Sequence, residues 1–184
     1  MALEEDGFGL QGLIRRLVGR LTGLALLAFV LFAVAALATW HVDDPRFSNA
    51  TDGQLVNAMG YPGAVVSDLL MQFFGRSSLV ALFPAAAWAL FLASGRGIGL
   101  KPQRAAAWAG GALLAAGVVG CASAPATWPL PTGLGGVFGD MVLKLPGLFA
   151  GGYPKGIAAT VIGAVLAVPA ACLLFFGAGI LGRR

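Results

Sequence analysis

From Leu21 to Trp40 the chain runs for twenty residues, LTGLALLAFVLFAVAALATW, without a charge. An α-helix rises about 1.5 Å per residue, so a run of this length crosses the roughly 30 Å hydrocarbon core of a bilayer. It is read as a membrane-spanning helix, and further apolar blocks along the chain make the protein polytopic. Composition agrees: 58% of residues are hydrophobic and 11% charged, against roughly 45–50% and 25% in soluble domains. The first run is too long for the apolar core of a cleaved secretory leader. Glu4, Glu5 and Asp6 also stand where such a leader is basic, and no A-x-A pattern follows, so the run is read as retained.

The expected fold is an all-α membrane bundle of four transmembrane helices, at about 21–40, 76–94, 105–123 and 156–181. Pro84 and Pro169 fall inside the second and fourth and are expected to kink them, because proline removes one backbone donor. Asp68 and Arg76 would each cost about 2.5–3.5 kcal/mol at mid-bilayer. Residues 64–74 are therefore expected to lie at the interface or re-enter shallowly. A second short helix of that kind is expected at 134–149, within a Pro/Gly-rich connection.

Basic residues set the orientation. Arg15, Arg16, Arg20, Arg96, Lys101, Arg104, Arg183 and Arg184 fall on one side of the spans, and Arg46, Arg76, Lys144 and Lys155 on the other. The positive-inside rule places the richer side, and with it both termini, in the cytoplasm. The two short helices are then periplasmic. In domain terms, 1–20 is a cytoplasmic segment, 21–181 the membrane domain and 182–184 the start of a cytoplasmic linker.

Catalytic chemistry finds no foothold. His41 is the only histidine and stands at the end of the first span; Cys121 and Cys172 are isolated within apolar blocks. The nearest approach to a phosphate loop, GRGIGLKPQ from Gly95, has Leu100 before Lys101 and Pro102 after it, where the motif requires Gly and Ser or Thr. No catalytic, cofactor or metal site is expected. The spans carry no ionisable interior of the kind that marks a transporter. Asp68 and Asp140 are read as solvated residues on the surfaces of the short helices. What the spans offer is packing: Ala112, Ala116 and Gly120, and then Ala159, Gly163, Ala167 and Ala171, recur at four-residue spacing and form small-residue grooves.

The loops carry an ordered set of motifs. After the first span come Asp43-Asp44-Pro45-Arg46-Phe47-Ser48, then Asn57-Ala58-Met59-Gly60-Tyr61-Pro62-Gly63-Ala64, then Ser67-Asp68-Leu69-Leu70 and Phe73-Phe74-Gly75. After the third span come Leu130-Pro131-Thr132-Gly133, Gly135-Gly136 and Gly139. The chain resembles, from about residue 15 to 181, the N-terminal four-helix membrane domain of the FtsK/SpoIIIE family of bacterial DNA translocases. The family typically shows N-x-x-G-x-x-G-A-x-x-A-D-L-L…F-G and later L-P-x-G-x-G-G-x-x-G. Ser67 departs from the usual Ala, and Arg76 follows F-G where the family is apolar.

The resemblance implies an anchor domain of the inner membrane at the division septum, which assists oligomerisation and contacts other division proteins. A hexameric ATP-driven DNA motor would lie outside these residues, with Arg183-Arg184 leading toward it. Asp44, Pro45, Asn57, Gly60, Gly63, Asp68, Leu130, Pro131, Gly133, Gly135 and Gly136 carry over as structural or partner-contact positions. The net charge of +4 is assigned to anionic lipid headgroups, worth roughly 1 kcal/mol per basic residue, and not to nucleic acid. The competing readings are a stand-alone small subunit or assembly factor of another inner-membrane complex, and a minor transporter subunit.

Overall fold

The computed structural model describes residues 2–45, 55–99, 101–150 and 152–182, apart from the side chains of 2–8 and 150. Arg46, Phe47, Ser48, Arg183 and Arg184 lie outside the described residues. Among the described residues the regular structure is all helical: α1 Ala2–Ala38, α2 Gly60–Phe74, α3 Ser78–Ala93, α4 Lys101–Gly120, α5 Gly136–Ala150 and α6 Gly156–Ala178. A 3-10 turn, Gly75–Ser77, joins α2 to α3.

Among the described residues, three stretches are long and apolar enough to cross a membrane: Gly9–Ala38, Gly60–Ala93 and Gly156–Ala178. The middle one is bent. Gly75 takes φ 56°, ψ −137°, outside the α-helical region, so α2 ends there and a 3-10 turn leads into α3. α4 is not among the three, because Gln103, Arg104, Trp108 and its glycines dilute its apolar character. Gly111, Ala112, Ala115 and Ala116 are nevertheless buried along it. A helix enclosed by other helices needs less apolar surface than one facing lipid.

Two antiparallel pairs form the frame, α1 with α3 and α4 with α6, while α3 touches both members of the second pair. Small residues set the close crossings. A side chain on Gly23 of α1 would strike the backbone of Leu92 and Ala93 at the end of α3. One on Gly111 of α4 would lie 2.9 Å from the amide of Leu174, and one on Gly177 of α6 would lie 2.8 Å from the amide of Trp108. Two indoles fasten the centre. Trp88 and Trp108 pack edge to face at 5.4 Å; Trp88 donates to Gly177 O and Trp108 to Ala81 O, each at 2.7 Å. Such bonds answer the need of a buried indole N–H for an acceptor. Pro84 and Pro169 lie within α3 and α6, which continue through them as helices.

The halves α1–α2–α3 and α4–α5–α6 share an element order, and their short helices share a register. Residues 63–75 align with 135–147 at a constant offset, with Gly63/Gly135, Val65/Val137, Asp68/Asp140 and Gly75/Gly147 identical. The buried positions 63, 64, 67, 71 and 75 coincide with 135, 136, 139, 143 and 147. Each short helix therefore presents the same face to its own half of the bundle. So few identities in a glycine-rich chain carry no signal until burial is laid beside them.

Candidate functional site

At the end of the bundle where α2 and α5 lie, buried polar side chains tie the loops to the helix ends. Asp44 is 1% exposed and accepts the amides of Val56 at 2.7 Å and Asn57 at 3.1 Å. Asn57 donates its side-chain amide to Ala36 O at 2.9 Å and to Ser67 Oγ at 3.3 Å, and its Oδ1 accepts from Met59 N at 3.0 Å. Ala36 O belongs to the last turn of α1, where carbonyls lack helical donors. Asn57 thus caps α1 from the segment that starts α2. Thr39 adds its hydroxyl as acceptor for Ala58 N at 3.1 Å. Gly63 must lack a side chain because Met59 and Asn57 fill the place of its Cβ. Ser67, where the resembled pattern has Ala, donates to Gly63 O at 2.8 Å.

A second tie joins α2 to α5. Arg76 N donates to Leu134 O at 2.9 Å. Gly75 and Gly136, at φ 56° and 65°, adopt a conformation that costs residues with a Cβ about 1–2 kcal/mol. Phe138 stacks on Phe73 at 5.3 Å and meets the edge of Phe74 at 4.9 Å. The guanidinium of Arg76 lies over Trp128 at 5.6 Å, a cation–π contact. Asp68 accepts Gln72 Nε2 at 2.7 Å.

A third tie closes the turn before α5. Tyr153 donates toward Gly120 O at 3.0 Å and Asp140 Oδ1 at 3.1 Å, and Asp140 Oδ2 accepts Gly133 N at 3.4 Å. Burial, then the Asp140 charge and hydrogen bond, push the Tyr153 phenol up to about 12. Gly135 and Gly139 lie flat on the carbonyl of Ala116, so this turn rests directly on α4.

These contacts correct two expectations. Asp68 is 3% exposed and belongs to the interior. Asp140 is half-buried and holds a turn together, so neither residue is a merely solvated helix-surface group. Arg104, assigned with the other basic residues to lipid headgroups, is 5% exposed. Its guanidinium covers Gly179 beside Phe91, at the C-terminus of α6, where a cation meets the negative end of the helix dipole.

Of the motif residues, Asp44, Asn57, Gly63, Asp68, Gly135 and Gly136 are buried, Pro45, Gly60, Leu130 and Gly133 are half-buried, and Pro131 is exposed. Ala112, Ala116 and Gly120 are buried, the last two beneath the turn before α5. Ala159 and Gly163 are buried, Gly163 at ordinary contact distance from Cys121; Ala167 is half-buried and Ala171 faces outward. The motif therefore holds a surface rather than forming one. That surface is the outer face of the short helices: Tyr61, Leu69 and Phe73 on α2, and Met141, Leu145 and Leu148 on α5, all exposed. Sequence reasoning had no signal for which side of these helices faces outward. No group of three His, Cys, Asp or Glu able to hold a metal occurs among the described residues.

Comparison with known proteins agrees with this architecture. A family model described as the 4TM region of DNA translocase FtsK/SpoIIIE matches residues 15–181. A protein of Mesorhizobium japonicum named DNA translocase FtsK is 53% identical over 184 residues, covering 100% of this chain and 21% of the relative. Proteins of the same name in Brucella suis and Caulobacter vibrioides are 52% identical over 181 residues and 34% identical over 152 residues. These cover 98% and 79% of this chain, but 21% and 18% of the relatives. The chain thus spans about a fifth of the length of the curated relatives it matches. No solved structure matches it.

Proposed function

The chain belongs to the FtsK/SpoIIIE family of DNA translocases as its four-transmembrane region, and we propose that it anchors such a translocase in the bacterial inner membrane at the division septum. The translocase motor lies outside this region. Four spans, α1, α3, α4 and α6, hold the protein with both termini in the cytoplasm; α2 and α5 lie against the periplasmic face. Anchoring concentrates copies in the plane of the membrane, which favours assembly of the attached motor into a ring. The exposed face of α2 and α5 meets other division proteins.

The observation that carries this reading is the family match over 15–181 on a bundle whose outer helices expose continuous apolar surface. Leu17, Leu24 and Leu31 on α1, and Ile157, Val161, Val165 and Val168 on α6, all face outward. A soluble monomer rarely exposes apolar patches of that extent.

Three measurements test it. Cysteines introduced at Asn49 and Gln103 should label only from the periplasmic and only from the cytoplasmic face, respectively; the reverse pattern overturns the orientation. The chain carrying a fluorescent tag should gather at constriction sites in dividing cells, and uniform membrane fluorescence would remove the septal assignment. An immunoblot against a loop epitope should detect a native polypeptide far above 18.7 kDa. A band at that mass would favour the stand-alone subunit.

A further inference from the structure

We propose that the cleft between α1 and the α3–α4 connection binds the phosphate of an anionic phospholipid from the surrounding leaflet. The cleft encloses about 520 Å³ and is lined by Arg15 and Arg16 of α1, Arg96 of the connection and Lys101 at the start of α4. Its apolar lining includes Val18, Leu92 and Ile98, the last 8% exposed. Arg20 secures one wall: its Nε would lie 3.3 Å from a Cβ placed on Gly95, so its guanidinium lies across the connection.

Four cations from three elements face one concavity, and no acidic side chain is among the residues that line it. The described acidic side chains, Asp43, Asp44, Asp68 and Asp140, belong to the opposite end of the bundle, and none forms an ion pair with these four among the described residues. On α1 the nearest acidic residue before Arg15 is Asp6, about 13 Å away along a helix at 1.5 Å per residue. Like charges held together repel, and a phosphate placed among them relieves the repulsion. Arginine also matches phosphate oxygens with two parallel N–H donors.

Position favours a lipid over a soluble phosphate. The cleft lies where the uncharged run of α1 begins and where α3 ends, which is the depth of the headgroups once the bundle is in a bilayer. Basic pockets between helices on the cytoplasmic side are a recurrent means of holding lipid phosphates. The inference rests on the membrane placement proposed above.

The test is native mass spectrometry of the full chain purified in detergent and offered equal phosphatidylglycerol and phosphatidylcholine. The expected result is a preference for phosphatidylglycerol of at least about tenfold, given several basic contacts. Arg15→Gln, Arg16→Gln, Arg96→Gln and Lys101→Gln combined should bring the two lipids to parity with helix content unchanged. Replacing Arg76, Lys144 and Lys155 by Gln should leave the preference intact. Parity in the wild-type chain, or a preference that survives the fourfold change, overturns the site. Displacement of the lipid by an equal concentration of inorganic phosphate or short duplex DNA overturns its assignment to lipid. Flotation with vesicles separates the two failures: a chain that floats without preference loses only this site, whereas one that does not float loses the membrane placement as well.

Discussion

Gly75 and Gly136 stand back to back, both at positive φ, and the space a side chain would need on either is filled by backbone from the other's segment. A Cβ on Gly75 would strike Leu134 O, and one on Gly136 would lie 2.7 Å from both Gln72 O and Gly75 N. This contact joins the end of α2 to the start of α5, and so joins the two halves of the bundle.

Alanine at either position meets both a backbone penalty and a clash. Gly75→Ala and Gly136→Ala should each destabilise the domain by about 2–4 kcal/mol, read as a lower midpoint in denaturant titration followed by circular dichroism. Gly12 has nothing near its Cβ position and lies in a helix, so Gly12→Ala should be neutral or stabilising by up to about 1 kcal/mol. Equal effects at all three positions would mean that the interlock is not a stability determinant.

Asn57 serves α1, α2 and the loop between them at once. Asn57→Ala should cost about 1–3 kcal/mol, because buried Ala36 O and Ser67 lose a donor. Ser67→Ala should cost less, since Gly63 O accepts from Ser67 within its own helix. A larger loss from Ser67→Ala in the same titration would reverse this assignment of roles.

The close approach of α4 and α6 centres on Gly111 and Gly177. Gly177→Ala should weaken the pairing by about 1–3 kcal/mol, while Gly163→Ala should be tolerated, because its Cβ would sit 3.4 Å from Cys121 Cβ. Disulfide trapping between cysteines introduced in the two helices reports the pairing. Identical trapping in both variants would deny the difference between the two glycines.

Tyr153 titrates late because burial and the neighbouring Asp140 oppose a phenolate. A folded pKa raised above the ordinary tyrosine value of about 10 contributes stability that is fully present below that value. The contribution is lost as pH rises through about 12. Alkaline absorbance titration should show the last tyrosine step disappear in Tyr153→Phe, and Asp140→Asn should move that step to lower pH. A wild-type titration that matches Tyr153→Phe apart from amplitude would remove the proposed coupling.

Much of this was legible from patterning. The twenty uncharged residues of 21–40 and the apolar run after Gly156 announce α1 and α6 by themselves, since transfer into lipid is a sum over local residues. The loop motifs from Asp44 to Gly136 were legible as positions but not as partners. Nothing near Asn57 in sequence indicates that it caps α1 at Ala36, twenty-one residues earlier. By sequence, the small-residue stripe of α6 follows a strict four-residue spacing through Ala159, Gly163, Ala167 and Ala171. The buried face is set by α4 and passes through Ala170, Leu174 and Gly177 instead, leaving Ala171 outside.

By itself, the sequence determined that this chain is a membrane-bound helical domain and which ends of its helices are basic. Both properties depend on what each segment exchanges with lipid and water, and that exchange is computed along the chain. Only the tertiary structure decided that Asp68 and Arg104 are interior residues, that Gly75 needs Gly136, and that four cations share one cleft. Those outcomes depend on complementary shapes and charges meeting across long separations. No single segment contains that information, because each surface acquires its role only when the other is placed against it.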